Sequence, residues 1–439
     1  MKTVLISSFH TVVSRNILST PIIDHLRSKV GDESLRVIVV CRHHKVPFFK
    51  KFFGHLGYEI EGVEYKTSWR DRLMKYCSTA SLSTEALRIK RATEMEGSGR
   101  LLSFFISNRL SHVLLRFLDT LLTPWEPFEE LLGRLKVDVV FSTDALDLRD
   151  VRLLQAAKHL SIPAVSMVRS WDNPTSKGLI RCVPDLLIVH NDIVKNEAVT
   201  VQHIPLSHIR VTGIPHYDAY KPLPRENFMK RFGLLNKDWK VVLYTPIGDR
   251  YVSPNTVDRN VVELLDKILP KETYLFVRFP FTDSVAGLDD RENSGRVIFY
   301  RPAGHFETLK NEELSPQDDR ILLETLSAAD LIVTGPSTIV IDGAFFDKPL
   351  VVVNFDGKET WPFLQSVRRY YHYEHWAPIK KSGGARFPKS PEEFKEAVLQ
   401  YLHNPTLDSE GRKRIVTEQC YVADGGGSER VAKVLFSLL

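Results

Sequence analysis

Three groups of residues in this 439-residue chain have the types and spacing that chemistry needs. The first centres on His10, which follows the apolar run "TVLISSF". An imidazole titrates near neutral pH, at about 6.5, so it can take the proton of an attacking hydroxyl. His10 reads as the only histidine that directly follows a strand of the first domain and faces the inferred cleft, although a loop histidine can also simply bond the backbone. Asp144 ends "KVDVVFSTD" and is placed to partner it. The second group is the loop "RSWDNPTSKG", with Arg169, Trp171, Asp172, Asn173 and Lys177. Trp171 would stack on a sugar ring, and Asp172 would accept the ring's hydroxyls. Asp172 also rivals His10 as a base; the bland alternative is a rigid turn built on Asp-Asn-Pro.

The third group lies in "DLIVTGPSTIVIDGAFFDKPLVVVN", residues 330–354. It reads as strand, turn, buried helix, strand. Gly335 and Pro336 break the first strand, and Ser337 or Thr338 starts a helix over about Thr338 to Phe346. Such a turn aims free N–H groups outward at the carboxyl end of a strand, where open α/β sheets bind phosphates. Asp342 lies one turn on and would accept hydroxyls of a ribose diol. Any doubly wound sheet contains capped turns like this, so a plain βαβ unit is the competing reading. Thr245 and Arg278 also follow strands, and the planar fork of Arg278 suits a diphosphate. Asp356 follows "VVVNF", His305 sits in "RPAGHFETL", and "DGGGSER" offers backbone amides near a donor.

The elements that must position these residues alternate. Strands and helices alternate up to "VEY", which predicts a parallel sheet. Helices dominate from Ser68 to Pro124. Early in the chain the pattern predicts a helix from about Ile17 to Arg27. "LLSFFISNRLSHVLLRFLDTLL", Leu101 to Leu122, is apolar with Arg109, His112 and Arg116 on a narrow polar face. It reads either as a core helix or as one lying on a bilayer. Alternation resumes to Tyr220, and "KPLPREN" is the linker to a second alternating series. The expected domains are 1–220 with a helical insert at about 68–124, 221–422, and a last helix at 423–439. Neither series carries GxGxxG, so no dinucleotide cofactor is implied.

Composition bounds the rest. Hydrophobic residues make up 43% and charged residues 26%, with a net charge of +5. This is ordinary globular composition, and the mild positive excess suits anionic nucleotides or an anionic membrane surface rather than nucleic acid. The four cysteines, Cys41, Cys77, Cys182 and Cys420, make no CxxC pair or zinc spacing. Asp144 and Asp147 form a DxxD rather than a DxD metal motif, and no essential metal is expected. "MKTVLISSF" reads as a first strand, not a signal peptide.

The third group resembles the donor segment of GT-B sugar-nucleotide enzymes. Gly335, Ser337, Thr338, Asp342, Lys348 and Pro349 fill the places found in CDP-glycerol glycerophosphotransferases, hydrolysing UDP-N-acetylglucosamine 2-epimerases and surface-polysaccharide glycosyltransferases. "VTGIPHYD" and "VADGGGSERVAKVLFSLL" resemble the joint and closing segments of the same families. The resemblance implies an α/β fold with two Rossmann-like domains facing across a cleft and a C-terminal helix crossing back to the first. It implies a metal-independent, cytoplasmic glycosyltransferase, at the inner face of the cell membrane if it contacts lipid, with a nucleotide-sugar as substrate and no other cofactor. The acceptor would be a polysaccharide or lipid-linked glycan. Epimerase or hydrolase, glycerophosphotransferase and non-catalytic sugar-binding readings stay open. On this reading His10, Asp144 and Asp172 are catalytic. Thr245, Arg278, Gly335, Ser337, Thr338, Asp342 and Asp356 bind the donor, and Arg169, Trp171, Asn173 and Lys177 bind the acceptor or sugar. One departure stands out: "VRFP" has phenylalanine, Phe279, where the glycerophosphotransferases commonly have histidine.

Overall fold

Short apolar runs buried on both faces make the inner strands, as parallel sheets covered by helices require. The computed structural model describes residues 1–94 and 98–439. The chain divides into two units: Met1–Ala219 with Gln419–Leu439, and Tyr220–Glu418. In unit 1 the strands are β1 (Lys2–Ser8), β2 (Leu35–Arg42), β3 (Tyr58–Val63), β4 (Val139–Ser142), β5 (Ala164–Met167), β6 (Leu186–Val189) and β7 (Ile209–Val211). They form one parallel sheet in the order β3-β2-β1-β4-β5-β6-β7. The order reverses direction between β1 and β4, so the sheet opens a crevice at their carboxyl ends. In unit 2, β8 (Lys240–Thr245), β9 (Thr273–Arg278), β10 (Val297–Tyr300), β11 (Leu331–Thr334) and β12 (Leu350–Val352) form a second parallel sheet, β10-β9-β8-β11-β12, with its reversal between β8 and β11.

Two helix expectations are corrected in unit 1. Ile17 to Arg27 is not one helix: a π-helical turn covers Ser14–Leu18, and α1 covers Ile22–Val30. Pro21 separates them because it has no N–H to bond backwards. The Leu101 to Leu122 stretch is also divided. After α2 (Trp69–Ala80) and α3 (Glu85–Glu94) come α4 (Ser98–Ile106) and α5 (Arg109–Leu122). Residues 95–97, within the expected insert at about 68–124, lie outside the described residues. Asn108 is extended, and its side chain accepts from the Ser111 N–H at 3.0 Å, so it starts α5 afresh.

The polar face of α5 points inward from His112 onward, whereas Arg109 at its start is exposed. His112 Nε2 meets the Ser81 carbonyl at 2.8 Å, and Arg116 donates to the carbonyls of Ile180 and Gln202 at 2.9 and 2.6 Å. Asp119 is fully buried and accepts from Arg152 at 2.9 and 3.0 Å. Arg152 belongs to α6 (Leu148–His159) and also donates to Asp71 of α2 at 2.8 and 3.0 Å. Asp71 in turn closes a capping box with Ser68 at the start of α2. One buried guanidinium thus fastens α2 and α5 to α6. The apolar face of α5 is left outside.

The final helix of the chain, Gly427–Phe436, packs on α1 within unit 1. Its first free amides, those of Gly427 and Ser428, donate to the Asp218 carboxylate at 3.0 and 2.6 Å. Amides that the sequence offered to a donor are therefore already occupied.

Candidate functional site

The carboxyl ends of the unit 1 strands carry a row of polar groups. His10 follows β1, Asp144 follows β4, Arg169 follows β5, His190 follows β6 and His216 follows β7. The first two flank the switch point of the sheet, where ligands of open α/β sheets bind. His190 also directly follows a unit 1 strand, so His10 does not stand alone in that position. Its signal was plain: "LLIV" ends at Val189 and the next residue is His190. Asn16, Thr143, Met167, Arg169, His190 and His216 line a pocket at this end of the sheet.

Electrostatics in this row are set by burial and by one cation. Arg169 donates to Asp144 at 2.7 Å. The other Asp144 oxygen accepts from the Leu146 N–H at 3.1 Å. Asp144 is buried, which favours its neutral form, yet Arg169 and then His10 outweigh that and hold it below the ordinary carboxylate range. It is therefore a carboxylate bonded to arginine, not one bonded to His10. Burial, then the charge of Arg169, pushes His10 down to about 3, with Lys177 and Lys45 adding to it and Asp144 opposing. His190 is pushed down to about 4 by burial and then Arg169. His216 is pushed well below the ordinary imidazole value by burial, Arg15 and His190. At neutral pH the row presents unprotonated imidazoles beside an arginine–carboxylate pair. Such a set can accept a hydroxyl proton and hold an anionic group.

The loop of the second group is built into the helices around it. Asn173–Ser176 forms the short helix α7. Thr84 and Lys90 donate to the carbonyls of Thr175 and Ser176 at 2.6 and 2.7 Å, and Lys75 donates to that of Lys177 at 2.9 Å. The Leu179 N–H reaches the Ser78 carbonyl at 3.1 Å. Gly178 between them has φ +104°, and a Cβ there would lie 2.8 Å from Ser78 Oγ, so only glycine fits. Asp172 accepts from Ser176 at 2.9 Å and lies 3.8 Å from the exposed Lys177 ammonium. Trp171 is buried, which corrects the expectation of a ring face offered for stacking. Asn173 is fully buried, and neither of its amide atoms has a hydrogen-bond partner among the described residues.

In unit 2 the switch point brings Thr245 and Thr334 together, with a 2.6 Å bond between hydroxyls. Gly335 sits against Ile247: a Cβ would lie 2.3 Å from Ile247 Cγ1. The helix α8 spans Ile339–Phe345. Ser337 Oγ accepts from the Ile339 N–H at 3.3 Å, and Thr338 is exposed at the helix start without a side-chain cap. Arg278 ends β9 in register with Tyr300. Two expected donor ligands turn inward instead. Asp342 is buried and accepts from the buried Tyr220 hydroxyl at 3.2 Å. Asp356 is buried and accepts from Ser366 Oγ at 2.7 Å and the Val367 N–H at 3.0 Å, so it organises its own loop. His305 sits 3.1 Å from Asp318. Phe279 is buried, 6.1 Å from the stacked Phe299 ring, with the Arg301 guanidinium 4.7 Å above it.

The family model described as CDP-glycerol:poly(glycerophosphate) glycerophosphotransferase matches residues 168–437. The chain belongs to this family. The glycerophosphotransferase match takes in the Arg169 loop, His190, His216 and the whole of unit 2; His10 and Asp144 precede it. No curated protein matches the chain. Among solved structures it is similar to the UDP-GlcNAc 2-epimerase of Neisseria meningitidis bound to UDP-GlcNAc, at 14% identity over 100% of both chains with TM-score 0.58. A putative UDP-N-acetylglucosamine 2-epimerase from Listeria monocytogenes is similar at 12% identity, over 98% of this chain and 94% of that one, with TM-score 0.58. A glycosyltransferase from Rickettsia africae is similar at 10% identity, over 100% and 97%, with TM-score 0.51. At such identities these likenesses establish fold: the glycerophosphotransferase relative has the GT-B type of α/β architecture.

Proposed function

We propose that this glycerophosphotransferase-family chain is a glycosyltransferase. It moves a sugar from a nucleoside-diphosphate donor to a hydroxyl of a cell-surface glycan or its lipid-linked precursor. The observation that carries this reading is His10, held unprotonated at the switch point of unit 1 beside the Asp144–Arg169 pair. His10 takes the acceptor's proton as the acceptor oxygen bonds to the sugar's anomeric carbon. The bond from that carbon to the donor's phosphate breaks, and nucleoside diphosphate leaves. A base pushed down to about 3 is weak as it stands. Anionic substrate beside Arg169 and Lys177 would offset the charge part of that depression and raise its basicity, while the larger part, due to burial, stays. Arg278, Ser337 and Thr338 are assigned to the donor phosphates, Arg278 by its planar fork.

The second reading is glycerophosphate transfer from CDP-glycerol, favoured by the family match over residues 168–437. Against it stands Phe279, whose place in the core leaves no imidazole at that strand end. The two readings release different products. Sugar transfer yields a nucleoside diphosphate, whereas glycerophosphate transfer yields CMP. Nucleotide release without any acceptor would point to an epimerase or hydrolase instead. In the same assay His10→Ala should lower turnover by roughly 10²–10⁴ while calorimetric donor affinity holds. Asp144→Asn should lose less. Full activity in His10→Ala with none in Asp172→Asn would move the base to Asp172.

A further inference from the structure

The pocket at the carboxyl ends of the unit 1 strands holds polar groups with bonding capacity left over. Arg169, after β5, commits only its Nε, to Asp144 at 2.7 Å. Among the described residues its two terminal amino groups make no hydrogen bond, and both belong to a residue that lines the pocket. His190, after β6, is 6% exposed, and its ring makes no hydrogen bond among the described residues. A buried imidazole without a partner costs free energy until something enters to bond it. Asn16, on the π-helical turn Ser14–Leu18, lines the same pocket. Its Oδ1 accepts from Arg15 Nε at 2.9 Å, which leaves its amide N–H groups. Val13, Ile17 and Met167 complete the walls and are apolar.

The groups left over are mainly donors. An arginine whose Nε is taken still offers the edge between its terminal nitrogens, which pairs with two oxygens of a carboxylate or a phosphate. Charge and size separate those two. Among the described residues Arg169 is the only cation lining the pocket, and Asp144 already shares it. One further negative charge can be held there. The second charge of a phosphate monoester would face the Asp144 carboxylate uncompensated. The space inside has room for about one water-sized group. The flat edge of a carboxylate enters such a space, whereas a tetrahedral phosphate does not.

We propose that this pocket holds the carboxylate of an acidic sugar, with Arg169 forking to its two oxygens and Asn16 and His190 bonding them from the sides. On the transferase reading, on which this step rests, that sugar is the acceptor residue, and the pocket selects uronic acids over neutral sugars. The full chain, without donor, is titrated with the methyl glycosides of glucuronic and galacturonic acid, with their neutral glucose and galactose counterparts, and with methyl phosphate. Saturation-transfer NMR of the ligand protons reads binding. The expected result is binding of a uronide, at least about tenfold weaker for its neutral counterpart and for methyl phosphate. Asn16→Asp, which sets a like charge in the pocket at nearly constant shape, and His190→Leu should each weaken uronide binding at least about tenfold. No detectable binding of either uronide overturns the proposal. So does equal affinity for a neutral glycoside, tighter binding of methyl phosphate, or uronide binding unchanged in the folded variants. The comparison of ligands on the parent chain stands even where a variant fails to fold. A uronide that binds here but accepts no sugar in the donor assay removes the transferase reading and leaves the pocket. Transfer to neutral glycans by a chain that ignores uronides removes the pocket alone.

Discussion

Replacing Arg152 by methionine should be among the costliest single changes in unit 1. The arginine, Asp71 and Asp119 all have 0% exposed side chains. Arg152 makes four bonds to the two carboxylates, at 2.8–3.0 Å. Methionine fills much of the volume but leaves both acids without their main counterion. Arg181 gives Asp119 only a 3.4 Å contact, and Asp71 keeps Ser68 and Tyr65. Breaking a buried pair from one side costs about 3–5 kcal/mol. At about 2–4 °C per kcal/mol for a unit of this size, the midpoint of thermal unfolding should fall by roughly 6–20 °C. Calorimetry of the parent and variant chains measures it. Arg152→Lys should recover part of the loss, because a single ammonium keeps the charge but cannot fork between two carboxylates. A drop of less than about 2 °C in Arg152→Met would refute the argument, since it would mean the acids are hydrated or protonated without cost.

Gly335→Ala should destabilise unit 2 by about 1–3 kcal/mol through the clash with Ile247. The double variant with Ile247→Ala should recover part of it in urea unfolding, and an unrelieved loss would locate the strain elsewhere. His190 should make stability acid-sensitive. Its folded value, about 4, lies below the unfolded 6.5, so the unfolded chain binds the proton first. Stability present above about pH 6.5 is then lost as pH falls toward 4, by up to about 1.4 kcal/mol per pH unit. His190→Gln should flatten that slope in urea titrations at stepped pH, and an unchanged slope would clear His190. Asp218→Ala should cost about 1–2 kcal/mol in chemical unfolding by uncapping the final helix. A neutral result would show that water serves those amides equally well.

Most strands were legible because they are apolar runs too short for a helix and bounded by turn residues. The GT-B architecture followed from two such series and from the residues around Gly335. Side-chain direction was not legible. Periodicity showed that His112 and Arg116 share a face of α5, but a stripe does not say which side the core lies on. Here partners on other segments, Ser81, Ile180 and Gln202, claimed the polar side. Asp342 and Asp356 followed strands as donor ligands would, yet Tyr220 and Ser366, distant or unremarked in sequence, turned both inward. His10 and His190 are equally readable by one rule, a histidine at the end of a short apolar run. The break at Asn108 was written as an N-cap inside an apolar run, where periodicity masked it.

The chain leaves unit 1 at Ala219 and returns to it only at Gln419. Asn191 donates to the Gln419 carbonyl at 2.8 Å, and Asp218 waits for amides more than two hundred residues downstream. During synthesis, then, the half that begins first is finished last. Unit 2 has its complete sheet while the seven-stranded sheet still lacks the helix that covers α1. A nascent chain paused before residue 419 carries a whole second unit and an open first one, with α1 uncovered and Asp218 unmatched. Damage to the last twenty residues would therefore be felt by the oldest part of the polypeptide rather than by its immediate neighbour.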